Sequence, residues 1–299
     1  MTSDVGVIIV NWNLPDDTIT CARSVLASEG ISSQIVVVDN GSTDNSVQRL
    51  QSALPQTTML SLPENVGFAG GINVGLEYLY GKDIEYILLL NNDTFLAPDC
   101  MIQLLSALTD DPSVAVAGPL IFYADNPEYV WYLGDRERPL WPVPFSLLRG
   151  MRYQDQYKGV LEVDYVSGCA MLVRCSVLKS LDGLNERLFM HYEDADFCWR
   201  VREGGWKIVS VPDARMWHKV STSSRNLGSL VNYYRLRNRV WFYATHRRGF
   251  YRVYALFYVL LHEFIRHGYA FLFKGQKTFR LYKKAIEHGI SGELGKWND

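Results

Sequence analysis

The chain of 299 residues is 48% hydrophobic and 21% charged, with a formal net charge of -2. That composition excludes a disordered tail and leaves room for one large domain, or a main domain with an appendage. The near-neutral total hides an asymmetry: residues 231–299 hold 13 Lys and Arg against 4 Asp and Glu, while residues 1–230 hold 17 against 28, so an acidic body and a basic end are expected to meet different partners.

No nucleic-acid partner is expected for the basic end, because its Lys and Arg alternate with long apolar runs and no nucleic-acid motif accompanies them. The five cysteines, Cys21, Cys100, Cys169, Cys175 and Cys198, show no Cys-x-x-Cys spacing, and their odd number leaves one unpaired in any full disulfide scheme. Reduced thiols buried in a core are expected. Met1-Thr-Ser-Asp4 is not basic, and the apolar run Val5–Val10 is too short for a signal peptide, so a cytoplasmic protein is expected. The 18 tyrosines, 13 phenylalanines and 8 tryptophans permit carbohydrate stacking, although a core uses the same rings.

Val5–Asn11 is a continuous apolar run ending in a polar residue, the pattern of a central parallel strand buried on both faces. Pro15 opens a helix over Asp16–Glu29, and Gly30 stops it. Gln34–Asp39 is a second buried strand. Asn40-Gly-Ser-Thr-Asp44 then turns the chain, and a helix through Leu54 with a strand near Thr57–Leu62 completes the next repeat. The alternation predicts an α/β fold with a Rossmann-like, mostly parallel central sheet flanked by helices. Tyr86–Leu90, the fourth strand, runs straight into Asn91-Asn92-Asp93. Open sheets of this kind bind ligands beyond the carboxyl ends of their strands, so Asn11, Asp39 and Asp93 fall where a site is expected.

Residues 121–160 show no sustained period and read as loops and short elements over the site, with Trp131 or Trp141 as a sugar platform. Val160–Val166 returns to the sheet, and Gly168-Cys-Ala170 lets a ligand or neighbouring backbone approach closely. A helix over Asp194–Glu203 and a strand over Trp206–Val211 finish a main domain of residues 1–230. The remainder, 231–299, reads as a C-terminal helical extension. Its run Tyr254–Leu261 is apolar, but His262, Glu263 and Arg266 interrupt it before the roughly eighteen residues that span a bilayer. Tyr269–Phe273 then precedes Lys274, Lys277, Arg280, Lys283 and Lys284. Residues 250–285 either lie on an anionic membrane surface or pack as a helical pair on the domain or on a second copy in a homodimer.

Several residues suit particular chemistry. A carboxylate at Asp39 accepts hydrogen bonds from a base N–H or ribose hydroxyls, or else caps the turn that holds Gly41. The first strand is followed by Asn11-Trp-Asn-Leu-Pro15 and not by Gly-x-Gly-x-x-Gly, which argues against a nicotinamide cofactor. The segment Asn65–Gly75 lacks the Gly-Lys-Ser/Thr ending of an ATP-hydrolysing loop. Its glycines, Gly67 among them, suggest a loop entering a helix packed beneath a nucleotide, with Asn73 directed at it. Asn92 and Asp93 form the expected station for Mg²⁺ or Mn²⁺, ions that often use one or two protein carboxylates plus substrate phosphates and water; Asp93 as a helix or turn cap is the plainer reading. Glu193, Asp194 and Asp196 crowd one helix start, where a carboxylate can serve as a base or simply complement the helix dipole. Arg200 and Arg202 hold these carboxylates or phosphates, with ordinary surface pairing the alternative for Arg202. His218, after Trp217, is either a metal or phosphate contact or a structural histidine.

Taken in order, Val38-Asp-Asn-Gly-Ser-Thr-Asp44, Asn65–Asn73, Leu88–Asp93, Gly168-Cys-Ala170, His191–Cys198 and Trp217-His218 resemble family 2 glycosyltransferases of the GT-A fold, particularly bacterial rhamnosyltransferase-like members. The resemblance covers about residues 4–245. It implies an inverting, metal-dependent transferase with a nucleotide-sugar half over about 1–120 and an acceptor half over about 121–230. The expected donor is dTDP-L-rhamnose, with a UDP-hexose as the alternative, and the expected acceptor is a glycan or lipid-linked oligosaccharide met at the inner face of the cytoplasmic membrane. Carried onto this sequence, it makes Asp39 the base contact, Asp93 the last acid of the metal motif, Asp194 the catalytic base and His218 a metal or diphosphate contact. Asn11, Gly67, Asn73 and Asn92 join the nucleotide pole, and Gly168, Cys169, Glu193 and Trp131 the acceptor pole. Asn91 departs from the Asp found in many relatives. A nucleotidyltransferase is disfavoured by the absence of basic triphosphate ligands at Asn11–Pro15. A non-catalytic glycan-binding protein leaves Asp39, Asp93 and Asp194 without a purpose.

Overall fold

The computed structural model describes residues 4–138, 141–220, 229–273 and 276–297. Its first half alternates as expected: β1 (Asp4–Asn11), α1 (Pro15–Leu26), β2 (Ser32–Asp39), α2 (Ser46–Ala53), β3 (Thr58–Ser61), α3 (Gly67–Tyr80) and β4 (Tyr86–Asn91). Val5, Val7, Ile8 and Ile9 of β1 are fully buried, and each such side chain contributes about 1.5–3 kcal/mol on leaving water. Helix α1 ends three residues before the predicted Glu29, because Ser28 N–H tightens onto Val25 O and Glu29 N–H leaves the helix for Pro98 O.

Next come β5 (Thr94–Leu96), α4 (Cys100–Asp110), β6 (Val114–Tyr123), β7 (Val130–Tyr132), β8 (Asp135–Arg138), β9 (Trp141–Ser146), β10 (Leu161–Val163), β11 (Ala170–Arg174), α5 (Cys175–Ser180), a 3-10 turn (Glu186–Leu188), α6 (Glu193–Glu203) and β12 (Lys207–His218). The described residues form a sheet in the order β10-β12-β6-β11-β4-β1-β2-β3, with β5 on β12 and β7 on β6, beside a β8–β9 hairpin. Strands β4, β1, β2 and β3 run parallel, while β11 enters antiparallel between β4 and β6. Strand β12 reaches His218, well beyond the predicted Val211. Pro212 is tolerated because residues 212–214 bulge out of the ladder with β6 between Val211 and Arg215.

The register sets the site. Asn11 pairs with Asp39 and Val10 with Asn91, so three strand ends share one edge. Ala170 opposite Leu90 brings Gly168 and Cys169 to the same edge from the other direction. His218 pairs with Thr94 of β5, next to Asp93.

Three helices follow: α7 (Ser229–His246), α8 (Gly249–Phe273) and α9 (Gln276–Ser291). Tyr233, Tyr234, Leu236, Val240, Phe242 and Tyr243 of α7 belong to the same core as Ile8 and Leu89, so this basic segment begins deep within the protein. Trp141 sits away from the strand ends: its ring packs edge-on against Tyr258 of α8, with centroids 5.4 Å apart. Of the cations expected along the extension, Lys274 lies outside the described residues, as do the side chains of Arg266 and Lys277. Arg280, Lys283 and Lys284 of α9 are exposed. All five cysteines are buried and unpaired, as their spacing suggested.

Candidate active site

At the first pole, Asn11, Asp39 and Asn92 form one buried network. Asn11 Nδ2 donates to Asp39 Oδ1 at 2.7 Å, and Asn11 Oδ1 accepts from Thr18 Oγ1 at 2.7 Å. Thr18 Oγ1 in turn accepts from Asn92 Nδ2 at 3.0 Å. The turn after β2 completes it, with Ser42 N–H on Asp39 Oδ2 at 3.0 Å and Ser42 Oγ on Asp39 Oδ1 at 2.6 Å. Asp39 therefore caps its own turn, the plainer of the two roles read for it, while standing at the strand end. Thr18 and Ser42 were not singled out from the sequence; a hydroxyl three residues after Pro15, on the sheet side of α1, was the available signal.

The second pole is built on Asp93. Its Oδ1 lies 3.1 Å from His218 Nε2, a buried ion pair, and no hydrogen bond engages this carboxylate oxygen. Burial works against an imidazolium at His218, but the neighbouring Cys169 and Asp93 outweigh it and raise the group to about 10. Trp131 stands edge-on to the imidazole with centroids 4.6 Å apart, and Cys169 Sγ is 3.8 Å from Nδ1. Trp131 thus braces His218.

Among the described residues no three His, Cys, Asp or Glu side chains gather as a metal cluster. The donors present still fit Mg²⁺ or Mn²⁺ held jointly with a substrate. Asp93 offers a buried oxygen that no hydrogen bond occupies, His218 offers a ring nitrogen once an incoming cation displaces its proton, and such ions take their remaining ligands from phosphates and water.

The third pole is the start of α6. Asp194 Oδ2 accepts from Gly168 N–H at 2.9 Å and Oδ1 from Ala195 N–H at 2.8 Å. Burial raises its pKa and these hydrogen bonds oppose the rise. Glu193 is buried with Oε2 unpartnered, and burial, then the Asp194 charge, pushes it up to about 8. The approach is strained: Phe189, His191 and Tyr192 have φ of 65°, 64° and 71°, and each such non-glycine residue costs about 1–3 kcal/mol.

Other expectations are redirected. Asn73 does not join Asn11 and Asp39. It lies six residues into α3, about 9 Å along the axis from Gly67, and is spent on Leu184 O and Glu186 Oε1, both at 2.8 Å. Gly67 faces the α6 approach: a Cβ there would stand 2.3 Å from Phe189 O. Arg200 binds Asp196 and the carbonyls of Leu181 and Gly183, and Arg202 pairs with Asp164 and Glu137. Asp196 also meets His246 at 2.9 Å, so it ties α6 to α7.

A mostly parallel sheet thus carries acidic groups at separate poles of one edge, the arrangement of a nucleotide-sugar transferase. Residues 6–182 match the model of glycosyl transferase family 2, and the chain belongs to that family. It is 27% identical over 222 residues to the N-acetylglucosaminyl-diphospho-decaprenol L-rhamnosyltransferase of Mycobacterium tuberculosis, covering 65% of this chain and 69% of that one. It is 22% identical over 246 residues to the dTDP-rhamnosyl transferase RfbF of Shigella flexneri, covering 80% and 79%. Its fold is the GT-A type of a solved GalNAc-T7 with UDP, GalNAc and Mn²⁺: the TM-score is 0.59 and the identity 14%, over 73% of this chain. The match spans 44% of that longer chain.

Proposed function

We propose that this chain is an inverting, divalent-metal-dependent transferase that moves L-rhamnose from dTDP-L-rhamnose to a hydroxyl of a glycan or lipid-linked oligosaccharide in cell-surface polysaccharide synthesis. The observation that carries the chemistry is the spacing of the poles. Gly168 N–H holds Asp194, and the next residue, Cys169, touches the imidazole beside Asp93. The sugar is supported by the two rhamnosyl-transferring relatives.

In this reading Asp39 and Asn11 bind the pyrimidine nucleoside, and Asp93, with His218 once deprotonated, would hold the ion. Bound there, Mg²⁺ or Mn²⁺ supplies positive charge to the departing diphosphate. Asp194, fixed by two N–H groups, accepts the proton of the acceptor hydroxyl as its oxygen attacks the anomeric carbon. The bond to the diphosphate breaks on the opposite face, so a single displacement inverts the centre. Glu193, held neutral near pH 7 by burial, keeps a second negative charge away from Asp194.

The acceptor is met at an anionic membrane surface. On α8, Phe250, Val253, Phe257, Leu261, Phe264 and Ile265 form one exposed apolar face, Phe250 being 84% exposed. The exposed cations of α9 add charge that suits anionic headgroups. Among the described residues no helix is long and apolar enough to cross a membrane, and this face supports a peripheral position at the inner leaflet.

The deciding experiment incubates the protein with Mg²⁺ or Mn²⁺ and a panel of dTDP- and UDP-sugars, following nucleoside diphosphate release and the anomeric configuration of the product. Release from dTDP-L-rhamnose with inversion is expected. Selective turnover of a UDP-hexose would replace the donor, and net retention would remove Asp194 from its role.

A further inference from the structure

The loop that carries Glu193 and Asp194 is held from behind by two buried polar residues of α7. Asn238 is fully buried and Arg237 is 1% exposed. Asn238 Nδ2 lies 2.8 Å from each of the carbonyls of Leu188, Met190 and His191. Arg237 Nε fixes that amide by donating to Asn238 Oδ1 at 2.8 Å, while its other nitrogens reach Leu188 O at 3.0 Å and Gly295 O at 2.7 Å. From the opposite side, Phe68 N–H donates to Phe189 O at 2.8 Å. Four successive residues, Leu188 to His191, thus have their carbonyls bound by other parts of the chain, across a stretch where Phe189 and His191 are left-handed.

A free loop would relax these dihedrals, and relaxation would swing the first turn of α6 with its carboxylates. We infer that Arg237 and Asn238 are positioning residues for the reaction: they impose the backbone that sets the Asp194 carboxylate against Gly168 N–H. The inference rests on the transferase reading above for its kinetic consequence, but not for its structural one. It also joins the C-terminal tail to the site, since Arg237 spans Leu188 O and Gly295 O.

The test compares wild type with Asn238→Ala, which removes all the amide contacts, and Asn238→Ser, which keeps one donor. Hydrogen exchange of the peptide covering 187–195, measured on the full chain, is expected to quicken at least about tenfold in Asn238→Ala, with β1 and β4 unchanged. Transfer kcat should fall about ten- to a hundredfold, the cost of displacing a reacting group by about 1 Å. Binding of dTDP should stay within about threefold of wild type, because nothing that meets the nucleotide has moved. Asn238→Ser should fall between the two, and decides the matter if the alanine variant does not fold. Wild-type exchange across 187–195 in the variant overturns the clamp whatever the activity. Faster exchange with unchanged kcat overturns the positioning role while leaving the transferase reading intact. If wild type turns over no donor, that reading fails and exchange alone still decides whether the loop is clamped.

Discussion

Gly168 donates its N–H to Asp194 Oδ2 at 2.9 Å, and a Cβ on residue 168 would stand 3.1 Å from Asp194 Cβ. The small residue and the acid form one unit, and each is required by the other. Gly168→Ala should therefore lower kcat by roughly tenfold or more with dTDP affinity unchanged, since a misplaced reacting group is costly. Steady-state kinetics alongside nucleotide titration checks this; a parallel loss of both would place Gly168 at the donor.

On the proposed mechanism Asp194→Asn removes the base and should lower turnover by about 10²-fold or more, in line with positioned acid–base groups. The wild-type kcat should rise with pH through a pKa above the ordinary carboxylate range, because burial raises Asp194 and a base acts only when ionised. An Asn variant with wild-type turnover would dispose of the assignment.

Asp93→Ala should weaken metal-assisted donor binding, and Asp93→Asn, which keeps the side-chain volume beside His218, should weaken it likewise if the charge is what holds the ion. Titrating Mn²⁺ against wild type and both variants in the presence of dTDP reads this directly. Identical metal dependence would move the ion elsewhere.

Glu193 gives a stability signature. Its pKa rises from 4.5 to about 8 in the folded state, so between those values the native protein holds a proton that the unfolded chain has released. Stability contributed by that proton is present below the unfolded pKa and is lost as pH climbs through about 8. Glu193→Gln should melt with a flatter pH dependence and above wild type at pH 8–9, near and beyond that value. Parallel melting curves for the two proteins would show the carboxyl to be solvated.

Replacing Phe250 and Phe257 by Asp should abolish sedimentation with anionic vesicles while sparing transfer to a soluble acceptor, since both side chains are exposed. Equal binding with a change in sedimentation velocity would give the face to a second copy.

The buried runs of β1, β2 and β4 announced themselves, as did the acids at their ends, because both faces of a central strand must be apolar until the edge is reached. Strand β6 and the far half of β12 did not: Gly118-Pro119 interrupts the apolar run Val114–Tyr123, and Pro212 breaks a pattern that only pairing with β6 restores. Arg237 and Asn238 were read as part of a basic appendage, since a count of charges cannot distinguish a buried guanidinium from a solvated one. Asn73 misled because the motif around it is glycine-rich up to its first turn, whereas the side chain lies further along the helix.

Gly168 and Cys169 are joined by a single peptide unit, about 3.8 Å between Cα atoms. In the proposed reaction the acid that receives the proton and the group beside the departing phosphate are anchored at the two ends of that unit, by the Gly168–Asp194 hydrogen bond and the Cys169–His218 contact. Loops around this entry to β11 can drift to admit new sugars without resetting the reach of the displacement, whereas a one-residue insertion between 168 and 169 would uncouple attack from departure at once.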